Sequence, residues 1–271
     1  MTAVTNPPDR GAALSQSWLL AKRNLLTLTR RPDVITFIVI QPIMFTLLFV
    51  YVFGGAIQVP GVTYVNFLMP GVIVQTLAFD APVTAIGLND DLSKGVLDRF
   101  RSLPISRSAV LVGRLIADSI RGLGVLGLII GVGYLVGFRF DDGILPALGA
   151  VVLAWLFAIG IAWGSAIVGM SVPNPEAVQA AVFTGLFPVV FVSSIFVPLQ
   201  TMPGWLQPVA QHNPMTRVAD AVRALSLDSA DRVAVGLGEA VAGKVWIALA
   251  WSLGLIVLFV PLAVRRYRHL T

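Results

Sequence analysis

Ile144–Met170 reads ILPALGAVVLAWLFAIGIAWGSAIVGM, 27 residues without a charge. A helix rises about 1.5 Å per residue, and about 20 apolar residues cross the ~30 Å hydrocarbon core of a bilayer, so this run can cross at a tilt. Five more apolar segments accompany it: Val34–Phe53, Tyr64–Leu88, Gly122–Phe138, Val178–Val197 and Val245–Val264. The Gly122 segment is the shortest and has room to begin further back, on the charged stretch before it. The expected fold is an all-α integral membrane protein, one transmembrane domain over 1–271 with six spans at about 34–53, 64–88, 122–138, 144–170, 178–197 and 245–264.

Composition points the same way. The 271 residues are 56% hydrophobic and 12% charged, against about 25% charged in a soluble domain. The net charge of +5 does not indicate nucleic acid as a partner, because the basic residues flank apolar runs instead of forming a patch with interleaved aromatics. The absence of cysteine excludes disulfides and thiolate metal sites. The first 17 residues are polar, so the first span is expected to act as the insertion signal in place of a cleavable one.

Lys and Arg counting sets the orientation. Fourteen of the 19 basic residues fall on the side of both termini and of the loop after the second span. The remaining five, Arg139, Arg217, Arg223, Arg232 and Lys244, fall on the other side. Both termini are therefore expected in the cytoplasm. No clear internal repeat supports an inverted-repeat transporter.

Before the first span, Trp18, Ala21, Leu25 and Leu28 share one helical face with Lys22, Arg23 and Arg30 around it, and Pro32 ends the pattern. Residues 14–31 are expected to form an amphipathic helix on the membrane surface, in contact with lipid. The cytoplasmic loop at 89–108, NDDLSKGVLDRFRSLPISRS, places Leu92, Val96, Phe100 and Leu103 on one face of a short helix that Pro104 ends. Such a loop suits docking into a groove on a partner; the alternative is a solvated loop obeying only the positive-inside rule.

Three stretches carry a resemblance: FLMPGVIVQTLAFD (Phe67–Asp80), DLSKGVLDRFRSLPISRSAVLVGRLIAD (Asp91–Asp118) and VPLQTMPGWLQPVAQHNPMTRVADAVRAL (Val197–Leu225). With the six-span layout, they resemble the permeases of type-2 ABC transporters, in particular drug-resistance exporters of the daunorubicin kind. The resemblance implies a bacterial cell-membrane subunit that is not itself an enzyme and holds no cofactor. It would dock a separate ATP-binding cassette ATPase, which binds ATP and magnesium, and would pair with a second permease chain, identical or not. On that analogy Lys94, Asp98, Arg99, Arg101, Leu103 and Pro104 lie in the docking region. It also implies short re-entrant helices within 198–244, with Met202, Pro203, Trp205 and Leu206 as a candidate gate.

Asp80 lies well inside the second span beside Pro82. A carboxylate in hydrocarbon must face the bundle interior or water. It either lines a translocation path, as Gln41 and Gln75 would at lower cost, or serves structure through a hydrogen bond or as a neutral acid. Arg114, Asp118 and Arg121 share a helical face and can neutralise one another, as can Arg217, Asp220 and Arg223. An ion-coupled secondary transporter using Asp80 is the alternative function. Gly238–Val245 fits GxxxxGK but supplies no Ser or Thr for magnesium. Asn89-Asp90-Asp91 is similar to the diphosphate-binding motifs of membrane prenyltransferases, but the other Asp pair, Asp141-Asp142, follows one further crossing and so faces the opposite side. No metal site is expected.

Overall fold

A computed structural model describes residues 18–19, 21–22, 32–57, 59, 61–94 and 107–270. Every regular element among them is helical. In chain order these are α1 (Pro32–Leu48), extended by a π-turn at Phe49–Phe53, then α2 (Tyr64–Phe79), α3 (Ala81–Ser93), α4 (Arg107–Leu135), α5 (Ile144–Gly169) and α6 (Pro175–Phe191). A 3₁₀ turn at Leu199–Thr201 leads to α7 (Gln207–His212), α8 (Pro214–Ser226), α9 (Ser229–Ala234) and α10 (Val241–Leu270).

Four stretches are long and apolar enough to cross a membrane: Tyr64–Ser93, Leu111–Leu135, Ile144–Gly169 and Val241–His269. Ile40–Phe53 and Pro175–Phe191 are shorter apolar helices. The boundaries differ from the sequence expectation in informative ways. The Gly122 segment is the end of a longer helix that starts at Arg107, because Arg114, Asp118 and Arg121 are neutralised by partners and do not stop it. The Tyr64 segment runs on to Ser93, so 89–93 belongs to α3 and not to a loop. Its one interruption is at Asp80, where Pro82 has no N–H to continue the helical ladder. The Val178 segment leaves the helix after Phe191, three residues past Pro188.

Much of the docking region, namely Asp98, Arg99, Arg101, Leu103 and Pro104, lies outside the described residues. Of the expected interfacial helix, Trp18, Leu19, Ala21 and Lys22 are described and helical, with Trp18 and Leu19 exposed and Ala21 buried.

α2 is the centre of the bundle. Every residue from Phe67 to Gln75 is buried, as expected of a helix that is apolar all round. α5 packs along α10, α3 and α8, while α8 also packs on α2 and α10, and α6 packs on α3. α10 turns Trp246, Trp251, Val257 and Leu258 outward, an apolar face that only lipid or another apolar surface would cover. The α3–α5 approach is so close that a Cβ on Gly169 would run into the Ala85 backbone carbonyl. Gly169→Val should therefore push these helices apart. It is expected to lower unfolding stability in detergent by about 1–3 kcal/mol, read as an earlier midpoint in a denaturant titration.

Candidate functional site

The break after α2 places Asp80 opposite α4. Arg121 donates from Nη1 to Asp80 Oδ1, and its Nη2 lies 3.4 Å from Asp118 Oδ1. Asp118 Oδ2 is 3.9 Å from Arg114 Nε, and Arg114 Nη1 donates to Asp91 near the end of α3. Five side chains of alternating sign, Asp80, Arg121, Asp118, Arg114 and Asp91, thus form one ladder between α4 and the α2–α3 stretch. Next to it, Lys94 Nζ donates to Asp90 at 2.5 Å at the mouth of the docking segment.

The sequence suggested the α4 half of this ladder from its spacing. What spacing within one helix could not show is that Asp80 has a buried cationic partner, Arg121. The missed signal was the pairing of an intramembrane acid with an intramembrane base on another span, since each is tolerable in hydrocarbon only with the other. Gly87 completes the arrangement. Any side chain there would occupy the position of the Arg114 guanidinium. Asn89, beside the two carboxylates, ties α3 to the end of α5: its Nδ2 donates to Gly169 and Val172 carbonyls at 3.0 and 2.7 Å. Among the described residues no group of three or more His, Asp or Glu could hold a metal ion.

On the other side of Asp80 lies a half-open cavity of about 150 Å³. Gln41 of α1, Gln75 and Thr76 of α2, and Asp80 supply its polar lining. Phe45, Phe79, Phe183 and Phe187 supply most of its apolar wall. The three polar residues singled out in the sequence, Gln41, Gln75 and Asp80, therefore meet at one cavity although they come from different parts of the chain. Gln75 is 2% exposed, and its Oε1 has no hydrogen-bond partner among the described residues.

The aromatic wall continues beyond the cavity. Phe79 sits 5.7 Å from Phe183 and 5.4 Å from Phe187, ring centre to ring centre. Phe187 then stacks on Phe191 at 5.5 Å, Phe191 reaches Phe196 at 5.3 Å, and Phe196 stacks on Phe49 at 4.5 Å. Phe49 joins Phe45 and Phe53 at 4.6 and 5.0 Å. The track was readable in principle, because Phe183, Phe187 and Phe191, like Phe45, Phe49 and Phe53, recur every four residues and must share a helical face.

Past Phe191 the chain is non-helical yet buried, and its backbone needs partners. Arg223 of α8 supplies one of them and ties the segment to α2. It is 1% exposed, donates from Nε to the Phe67 carbonyl at 2.9 Å and from Nη2 to the Ser194 carbonyl at 3.1 Å, and lies 4.0 Å over the Phe67 ring. Asp220 balances its charge at 2.7 Å and accepts from Ser194 Oγ at 2.8 Å. Asn213 Nδ2 donates to the Val189 and Val192 carbonyls at 2.6 and 2.5 Å, and Tyr64 donates to the Phe196 carbonyl at 3.3 Å. Of the candidate gate residues, Met202 is buried and Leu206 partly buried, while Pro203 and Trp205 are exposed. Lys244 of the GxxxxGK stretch donates to the Leu237 carbonyl.

The family model for the ABC-2 type transporter matches residues 15–227. The chain is 36% identical, over 97% of its length and 89% of the relative's, to the daunorubicin resistance ABC transporter permease protein DrrB1 of Streptomyces coeruleorubidus. It is 31% identical, over 91% of its length and 86% of the relative's, to the probable doxorubicin resistance ABC transporter permease protein DrrC of Mycobacterium tuberculosis. The doxorubicin resistance ABC transporter permease protein DrrB of the same organism is 26% identical over 79% of this chain and 76% of its own.

Breaking the Asp80–Arg121 pair from one side leaves a buried charge without its partner. Asp80→Asn or Arg121→Gln alone is expected to lower stability by about 3–5 kcal/mol, and the double replacement to recover a large part of that loss. Denaturant unfolding in detergent of the two single variants and the double variant checks this.

Proposed function

This chain belongs to the ABC-2 type transporter family, and we propose that it forms the membrane path of an exporter that carries hydrophobic drugs, lipids or lipid-linked molecules and is driven by a separate ATPase. The chain is a permease subunit and a multi-pass membrane protein, not an enzyme. The observation that carries the proposal is the join between cavity and loop. Asp80 lines the cavity, and the charge ladder runs from it to Asp91, three residues from Lys94.

In the proposed arrangement the short helices Ile40–Phe53 and Pro175–Phe191 complete a six-span bundle. Both termini and residues 95–106 lie in the cytoplasm of a bacterial cell in this reading, which the Lys and Arg distribution supports. The ATPase docks on Lys94, Asp98, Arg99, Arg101, Leu103 and Pro104, and the 14–31 helix rests on the leaflet beside it. The docking segment joins α3 to α4, so ATP-driven movement of the motor acts on the two helices that the ladder ties together. Arg121 is shared between Asp80 and Asp118. It can release one carboxylate and keep the other, which gives the buried charges two discrete arrangements that the motor can bias.

Cargo would leave along the aromatic track toward the non-helical segment after Phe191. There α7 and α8 would dip into the outer leaflet, with Met202, Pro203, Trp205 and Leu206 at the exit. A cavity of about 150 Å³ is small for a drug-sized cargo, since sites for drug-sized molecules measure about 300–1,000 Å³. A second permease chain would supply the rest of the path. The Arg121 partner weighs against ion-coupled transport, which needs an Asp80 carboxyl free to take and release a proton.

The chain, purified in mild detergent from its native membrane, is expected to retain an ATPase and, reconstituted with it, to export a hydrophobic dye from vesicles only with ATP. Reversing charge at Arg99 and Arg101 together should release the ATPase and abolish export. Export that persists without ATP and collapses with the proton gradient would refute the motor-driven reading.

A further inference from the structure

We infer that Asn213 is the latch of the exit: its side-chain amide clamps the end of α6 to the start of α8, and releasing it frees the backbone of residues 189–193 and opens the aromatic track at Phe191. The inference rests on the permease reading and assigns a positioning residue to the step at which cargo leaves.

A break and a pin isolate this stretch. Pro188 has no N–H to offer the Thr184 carbonyl, so α6 is weakened just before its end. On the far side Ser194 is pinned. Its N–H donates to Thr216 Oγ1 at 3.0 Å, its Oγ to Asp220 at 2.8 Å, and its carbonyl accepts from Arg223 at 3.1 Å. Between break and pin, Asn213 is the one residue of another element that hydrogen-bonds residues 189–193, among the described residues. Its Nδ2 donates to the Val189 and Val192 carbonyls, and neither accepts a backbone N–H there. These are carbonyls that the end of a helix leaves without a donor of its own.

The same side chain faces the other way too. Its Oδ1 accepts from the Met215 N–H at 2.8 Å and caps α8. One planar amide therefore sets where α6 ends relative to where α8 begins. Asn213, Thr216, Asp220 and Arg223 are three and four residues apart and share a face of α8. Thr216 and Arg223 are buried, while Asn213, at the end of the stripe, is only partly so. A neutral hydrogen bond in reach of water exchanges at little net cost, whereas parting Asp220 from Arg223 would strand buried charge. The stripe thus gives way at Asn213 first. Phe187 and Phe191 are exposed on one side, and Phe191 meets Phe196 across the stretch at 5.3 Å. Movement of residues 189–193 parts those two rings.

The chain contains no cysteine, so Ser193→Cys, a near-isosteric change at a position 1% exposed, supplies a single thiol that reports opening. The full chain in lipid nanodiscs would be treated with a water-soluble maleimide. Labelling is expected to be slow in Ser193→Cys alone and about tenfold faster when Asn213→Asp is added. Aspartate keeps the α8 cap and the side-chain shape but turns acceptors toward both carbonyls. Ser252→Cys, buried in the middle of α10, serves as a second reporter and should stay slow with or without Asn213→Asp, which separates local opening from general unfolding. Unchanged labelling at Ser193→Cys in the Asn213→Asp background, or equal acceleration at Ser252→Cys, would overturn the latch. With the ATPase bound, ATP should speed labelling of Ser193→Cys with Asn213 in place; no response to ATP would overturn its assignment to the exit step. Labelling of the chain alone requires no motor, so acceleration by Asn213→Asp in a chain that retains no ATPase would support the latch and overturn only the motor-driven reading.

Discussion

Arg121 reaches from α4 to Asp80 at the break between α2 and α3, and the architecture on either side depends on that contact. A carboxylate or a guanidinium alone at this depth would be costly; together they neutralise each other and fix how α4 lies against the α2–α3 stretch. The remaining rungs, Asp118, Arg114 and Asp91, repeat the solution toward the docking segment. Gly87 leaves the room for Arg114. A buried pair of this kind adds little net stability over a well-packed apolar contact, but it specifies one register, because a slipped helix would leave a charge unmatched.

The other end of the bundle meets a different constraint with similar means. Where α6 stops, the backbone from Val192 onward is non-helical yet enclosed. Irregular backbone is tolerated there only when protein groups satisfy it. Arg223, Asn213, Thr216 and Tyr64 provide those groups, and Asp220 makes the buried arginine acceptable. Gly71 lets this segment rest on α2, since a Cβ there would come within 2.9 Å of the Ile195 carbonyl oxygen. Between these two polar anchors, aromatic rings from α1, α2, α6 and the Val192–Phe196 turn form a continuous apolar track.

For transport this division of labour matters. A ladder of shared charges has few stable arrangements, whereas a track of rings offers a moving apolar solute many similar contacts. The first suits a switch, the second a conduit. The cavity lies where they meet, with Asp80 belonging to both.

The sequence by itself determined that this is a helical membrane protein and which residues had to be accounted for. Charge-free runs longer than a bilayer is thick leave little alternative to crossing it, and an intramembrane Asp80 has to face the bundle interior or water whatever the fold. The spacing of Arg114, Asp118 and Arg121 also announced a ladder, because residues three and four apart share a helical face. What only the tertiary structure decided was which elements meet: that Asp80 finds Arg121, 41 residues away, that Gln41, Gln75 and Phe187 line one cavity, and that Arg223 serves the backbone at Phe67 and Ser194. Periodicity fixes a face within one helix, but which helices pack together depends on long-range matching of shape, charge and unpaired backbone, and that matching exists only once the chain is folded.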